Sequence, residues 1–380
     1  MTDRPRLLIL SFSPLRGDAR ILKQIAAFSE SYEITTCGHG PAPDGVGDHV
    51  PIPEDLAIWR YDRALVVTRQ YRRAYWSNAA IAYARAALHG RNFDVILAND
   101  VDAVGLALSL EPRHGVHADL HEYAPRLHEE LLRWRLFVAP FQRWMCRTFV
   151  ARAASWSTVG HGLADEYERR FGFRPLVVTN AAPFSESRPT PVADPPRLVH
   201  SGACLRNRHL ATLVEGVRST RSGVTLDLFL TPNDPRYLEE LKELAARSGG
   251  RIRVNDPVPY SELNQVLNAY DVGVHILPPV NFNNAWALPN KIFDYVQARL
   301  GVIVGPSPEM ADYVRQYALG VVTQGFRADD FACVLDGITV GEVTAWKSAS
   351  DEHAHALSGE RQVGIWKDAV DRLAGVGGAP

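Results

Sequence analysis

A chain of 380 residues is too long for one ordinary core, so two domains of roughly 150–190 residues are the natural division. It is 46% hydrophobic and 22% charged with a formal net charge of -2, the profile of an ordinary globular protein without the broad basic surface that nucleic-acid binding needs. The cysteines Cys37, Cys146, Cys204 and Cys333 make no CxxC or zinc-ligand spacing, no signal-peptide apolar region follows Arg4 and Arg6, and no apolar run nears the ~18 residues that span a bilayer. The expectation is a cytoplasmic protein.

Residues 7–12 read as a buried strand, and 20–29 as a helix with Ile21, Leu22, Ile25 and Phe28 on one apolar face. Residues 32–36 return to strand. Further strands are predicted at 94–98, 115–120, 155–159 and 176–179, with helices through 104–108 and 162–171. This alternation implies a parallel sheet with helices on both faces. Residues 181–196, rich in Pro and Ser and without a period, read as an interdomain linker. The pattern then restarts, with strands at 198–201, 225–230, 252–254, 272–276 and 302–304. The helices between them are 209–218, 236–247, 261–270 and one beginning near Lys291. The predicted fold class is α/β, two Rossmann-like doubly wound domains facing across a cleft, with ligands at the carboxyl ends of the strands.

Ala287-Leu288-Pro289-Asn290-Lys291-Ile292-Phe293-Asp294-Tyr295 is the most informative stretch. It sets a cation and a carboxylate about one turn apart at a helix start, where free backbone N–H groups and the dipole favour an anion. Ammonium to a diphosphate and carboxylate to ribose hydroxyls would suit a nucleotide sugar; a capping segment with a solvated ion pair is the alternative. The strand ends at Gly17 and Gly202 each carry one glycine, neither the G-x-G-x-x-G fingerprint nor a P-loop, which lowers a dinucleotide reading. Gly202 would let backbone approach a ligand, and Arg206 or Arg208 could reach a diphosphate. Asn281, Asn283 and Asn284 are either sugar-bonding groups or ordinary turn residues.

In the first half, His117, Asp119 and His121 alternate onto one face of a strand. A metal site, a substrate-orienting role for His121 and a purely structural role all fit that pattern. Residues 59–85 and 133–147 mix arginine with aromatics, the composition either of solvated helices over a core or of a face resting on an anionic membrane.

Together these pieces resemble a GT-B glycosyltransferase of the family-4 type. Asp18-Ala19-Arg20-Ile21-Leu22-Lys23 resembles its D-x-R-x-x-K segment, and Asp119-Leu120-His121-Glu122 its D-x-H-E segment with the active-site histidine. Thr158-Val159-Gly160-His161-Gly162-Leu163 is similar to T-V-S-x-G-L, and Val178-Thr179-Asn180 to its strand ending in P-N. The run from Gly202 through Arg208 to Leu213 resembles the phosphate segment, with Arg208 in place of lysine, and 289–295 resembles P-N-K-x-F-E-Y.

The resemblance implies a retaining, metal-independent transferase without a cofactor, using a nucleotide-diphosphate sugar as co-substrate. It implies an acceptor-side domain over 1–185, a linker over 186–196 and a nucleotide-sugar domain over 197–350. A C-terminal helix within 351–380, with an Ile365, Trp366, Val370 and Leu373 stripe, would cross back to the first domain. Catalytic roles would fall to His121 and Asp119 and acceptor-side roles to Asp18 and Arg20. Donor binding would fall to Gly202, Arg206, Arg208, Asn284, Trp286, Pro289, Asn290, Lys291 and Asp294. Trp286 stands where the family carries a sugar-contacting glutamate, and Asp294 where it carries a second one. A non-catalytic sugar-nucleotide binder and a sugar-nucleotide 2-epimerase are the competing readings. The sequence leaves the nucleotide, the acceptor and the oligomeric state open.

Overall fold

Leu7, Leu8, Ile9 and Leu10 are fully buried in β1 (Arg6–Pro14) in the computed structural model, which describes residues 4–376. An apolar run of this kind needs cover on both faces, and β1 lies in the middle of a seven-stranded parallel sheet. Its strands are β2 (Glu33–His39), β3 (Asp48–Ile52), β4 (Val95–Asn99), β5 (Val116–Leu120), β6 (Ser155–Thr158) and β7 (Leu176–Val177). The order is β3-β2-β1-β4-β5-β6-β7, so the direction of winding reverses between β1 and β4.

A second parallel sheet is built from β8 (Arg197–Ala203), β9 (Thr225–Thr231), β10 (Ile252–Asn255), β11 (Val272–His275), β12 (Gly301–Val304) and β13 (Gly320–Val322). Its order, β10-β9-β8-β11-β12-β13, reverses between β8 and β11. Leu213, Leu226, Leu228 and Phe331 belong to one core cluster of this unit, and Ile292, Phe293, Val302 and Val304 to another. Both sheets are therefore doubly wound, and each has one switch point at which ligands of such folds bind.

Two strands escaped the sequence reading. β3 carries Asp48, His49 and Pro51 in only five residues and pairs with β2 alone, an edge position where a proline is tolerated and no apolar run is required. β13 is three half-buried residues at the opposite edge of the other sheet.

The described chain divides into two compact units. The first unit comprises 4–179, 281–283 and 362–376 of the described residues, and the second 180–280 and 284–361. Residues 180–196 are thus neither the end of the first unit nor a free linker. Ala181 and Ala182 are buried, the Ser185 and Ser187 hydroxyls donate to Asn264 Oδ1 at 2.9 and 2.7 Å, and Thr190 donates to the Asn268 carbonyl at 3.1 Å. The serines that made the stretch look like a linker are used to bind it to the helix Tyr260–Asn268.

The helix Gly359–Ala374 runs into the first unit from Gln362. Trp366 is 2% exposed, shares a core cluster with Leu7, Ile9 and Val178, and donates its indole N–H to Ser157 Oγ at 3.2 Å. Tyr32 adds a hydroxyl bond to Asp371 at 2.7 Å.

Candidate functional site

The second unit gathers its cations where its sheet reverses. Gly202, the last residue but one of β8, has φ 143°, a conformation L side chains rarely adopt, and a Cβ there would collide with Lys291 Nζ. Glycine is what allows the Lys291 ammonium to lie across the strand end. Lys291 is the second residue of the helix Asn290–Gln297, whose first turn receives no side-chain cap. Pro289 occupies the N-cap position, and the exposed Asn290 is the first helical residue. Uncapped N–H groups, the dipole and a lysine therefore meet at one place.

Burial pushes the Lys291 pKa down, Arg208 pushes it the same way, and Asp294 opposes them. Neither Lys291 nor Arg208 has a carboxylate within ion-pair distance among the described residues. Beneath them lie two buried histidines, His200 and His275, with ring centroids 5.7 Å apart and nearly parallel. Burial, then Lys291, lowers the pKa of His200 to about 3 and that of His275 well below its usual value. Both rings are neutral at pH 7, so they add hydrogen-bonding capacity without further charge. His200 Nδ1 pairs with the Val274 carbonyl at 2.8 Å, whereas His275 Nε2 is buried without a hydrogen-bond partner. An anion with several acceptor oxygens would relieve this whole set.

Arg206 does not belong to it. Its guanidinium binds Glu240 at 2.6 Å and Asp234 at 3.3 Å and lies 5.0 Å from the Tyr237 ring centroid, so its charge is already matched at the surface. Of the two loop arginines, Arg208 alone has no carboxylate within ion-pair distance among the described residues.

Asp294 is buried and accepts from the Tyr260 hydroxyl at 3.4 Å. It lines a pocket of about 410 Å³ together with Tyr260, Asn264, Phe184, Ser185 and Gln297. Asn284 and Trp286 are half-buried between β11 and the Lys291 helix. Asn281 and Asn283 serve the first unit instead. Asn283 takes the Tyr123 N–H at 2.9 Å and returns a bond to its carbonyl at 3.3 Å, and Asn281 donates to the Leu127 carbonyl at 3.3 Å.

In the first unit, Asp18 caps the helix Ala19–Phe28 by accepting from the Arg20 and Ile21 N–H groups at 3.0 and 3.3 Å, and it also accepts from Ser13 Oγ at 2.7 Å. That start turns Arg20 and Gln24, one turn apart, into the protein. Arg20 grips Asp119 with two 2.6 Å bonds, Gln24 adds one at 2.8 Å and Ser157 one at 2.6 Å. The Trp366 ring lies 4.4 Å from the Arg20 guanidinium. Burial alone would raise the Asp119 pKa, but Arg20 outweighs it and holds the carboxyl well below the usual range.

These contacts engage three residues singled out in the sequence. Arg20 is 5% exposed and bonded to Asp119. Asp18 is occupied as a cap. Asp119 has no exposed surface and is held by Arg20, Gln24 and Ser157. The metal reading fails at His117, whose two ring nitrogens pair with Ser155 and Ser157 at 2.8 and 2.9 Å.

His121 follows the end of β5 with its side chain 24% exposed, Nε2 3.6 Å from Asp119 and Nδ1 3.7 Å from Asp100. Burial works to lower its pKa, yet Asp100 and Asp119 leave it raised. Asp100, at φ 67°, holds a backbone conformation that costs about 1–3 kcal/mol. It was missed in the sequence, although an Asn99-Asp100 pair closing the apolar strand 95–98 was the available signal.

The fold is found elsewhere. HepE of Anabaena, in complex with UDP-glucose, superposes with a TM-score of 0.70 at 13% identity, covering 97% of this chain and 100% of that one. The sucrose-phosphate synthase of Thermosynechococcus elongatus gives 0.72 at 11%, covering 98% and 100%. The chain has a GT-B fold. WaaG, described as a glycosyltransferase involved in lipopolysaccharide biosynthesis, gives 0.60 at 13%, covering 96% and 99%. No protein-family model and no curated protein sequence matches the chain.

Proposed function

We propose that this chain transfers a sugar from a nucleoside-diphosphate sugar to an acceptor, with retention of configuration and without a metal ion or other cofactor. The observation that carries the reading is the cradle of Gly202, Arg208, Lys291 and an uncapped helix start, two cations without carboxylate partners among the described residues at a sheet reversal. Breaking a sugar–phosphate bond loads negative charge onto the leaving diphosphate, and preorganised cations stabilise that charge as it forms. Asp294 is assigned to the ribose hydroxyls, and Tyr260, beside it in the same pocket, to the nucleoside. His121, with its raised pKa, is assigned to the transferred sugar. The HepE structures in complex with UDP make UDP the first nucleotide to test.

Replacing Lys291 by alanine tests the cradle. Loss of a charge-assisted contact should weaken UDP binding by about 1.5–3 kcal/mol and leave uridine binding nearly unchanged. Calorimetric titration of both ligands reads the difference. Equal losses for nucleoside and diphosphate would mean that Lys291 only holds its helix in place.

A further inference from the structure

The two arginine-rich aromatic segments form one surface of the first unit. Tyr61 meets Phe141 edge-on at 4.8 Å, Tyr71 lies 5.4 Å from Phe141, and the short helix Arg63–Val67 packs against the single π turn Trp134–Val138. Phe141 is buried and serves as the shared anchor.

The outside of this surface carries large apolar side chains that nothing covers. Leu131, Leu132 and Leu136 are 55%, 60% and 54% exposed, Val67 is 50% exposed and Phe137 37%. A globular protein scatters exposed leucines singly, and a cluster of this kind marks a docking face.

Charge says what it docks to. Residues 59–73 hold five arginines and 131–147 four, against Asp62 as the only carboxylate in either stretch, in a chain whose formal net charge is -2. Arg63, Arg69, Arg72, Arg133, Arg135 and Arg143 have no ion-pair partner among the described residues. Glu129 and Glu130, just before the second stretch, are engaged by Arg126, the Phe282 N–H and Asn281. Leucines interleaved with unpaired arginines match the two layers of an anionic bilayer surface, acyl chains below and phosphates above. No described helix is long and apolar enough to cross a membrane, so the contact would be interfacial.

We propose that this face of the first unit docks onto an anionic lipid surface, inserting Leu131, Leu132, Leu136 and Phe137 between headgroups that the surrounding arginines bind.

The test is co-sedimentation of the full chain with phosphatidylcholine vesicles, with and without phosphatidylglycerol. Partition onto the phosphatidylglycerol vesicles should exceed that onto neutral ones and fall with added salt. Arg133→Gln with Arg135→Gln should reduce it about 25-fold, and Leu132→Asp with Leu136→Asp at least about tenfold. All four positions are exposed, so the thermal unfolding midpoint should not move in either variant. The proposal is overturned by absence of partition at low salt, by equal partition onto both vesicles, or by unchanged partition of the leucine variant. It is equally overturned if sedimentation without lipid shows self-association that the leucine variant abolishes, which would give the face to a second copy of the chain.

Discussion

A chain with His121 replaced by alanine is expected to turn over about 10²–10³-fold more slowly while binding UDP as tightly as the parent. Loss of one preorganised group facing developing charge typically costs this much, about 2.7–4 kcal/mol of transition-state stabilisation. His121 belongs to the first unit and the cation cradle to the second, so its removal leaves Gly202, Arg208 and Lys291 untouched. Single-turnover kinetics beside calorimetry separate the two quantities. Weakened nucleotide binding with intact turnover at saturation would remove His121 from the chemistry. Binding without turnover in the parent itself would instead favour a sugar-nucleotide binder, the reading that Trp286 in place of a carboxylate invites.

The largest effect on stability is expected from Arg20→Met. Asp119 has no exposed surface, and its charge is tolerated because Arg20 holds both oxygens. Removing one partner of a buried pair strands the other and costs about 3–5 kcal/mol. The pH dependence has a definite sign. In the parent, Asp119 is held well below its unfolded pKa of about 3.9, so its contribution is complete above that pH and is lost as acid brings the pH down through the folded value. In the variant, burial without the guanidinium should lift Asp119 above its unfolded value. Folding then takes up a proton, and the variant recovers stability as the pH falls towards 4. Urea unfolding of both chains at pH 7.5 and pH 5 measures this. A deficit that is equal at the two values would show that Asp119 is not the group left stranded.

The sequence carried the parallel-sheet architecture because β1, β4 and β12 are apolar runs that signal burial directly. It did not carry β3 or β13, since short edge strands need neither an apolar run nor a period. The composition of 181–196 misled for a related reason. Serine and threonine side chains that bond to Asn264 and Asn268 look the same on the page as those that bond to water.

At the site, residue type and position picked out Lys291, Arg208 and Gly202, because a cation and a bare glycine at strand and helix ends have few structural uses. Pairing was illegible. Residue type alone did not distinguish Arg206, neutralised by Glu240 and Asp234, from Arg208 two residues on, which only the resemblance set apart. Likewise Arg20, Gln24, Ser157 and Trp366 converge on Asp119 from separations of 99, 95 and 38 residues, with Trp366 acting through Ser157. The His200–His275 stack joins two strands that are adjacent only because of the reversal between β8 and β11.

The central claim is that the second unit recognises a diphosphate. It is tested most directly by titrating the parent chain, in the presence of a chelator, with uridine, UMP, UDP and UDP-glucose in turn. The account predicts a small gain from the nucleoside to the monophosphate and a gain of at least tenfold, about 1.4 kcal/mol, on adding the second phosphate, where Lys291 and Arg208 engage. A series of equal affinities, or diphosphate binding that appears only when Mg²⁺ is restored, would contradict it.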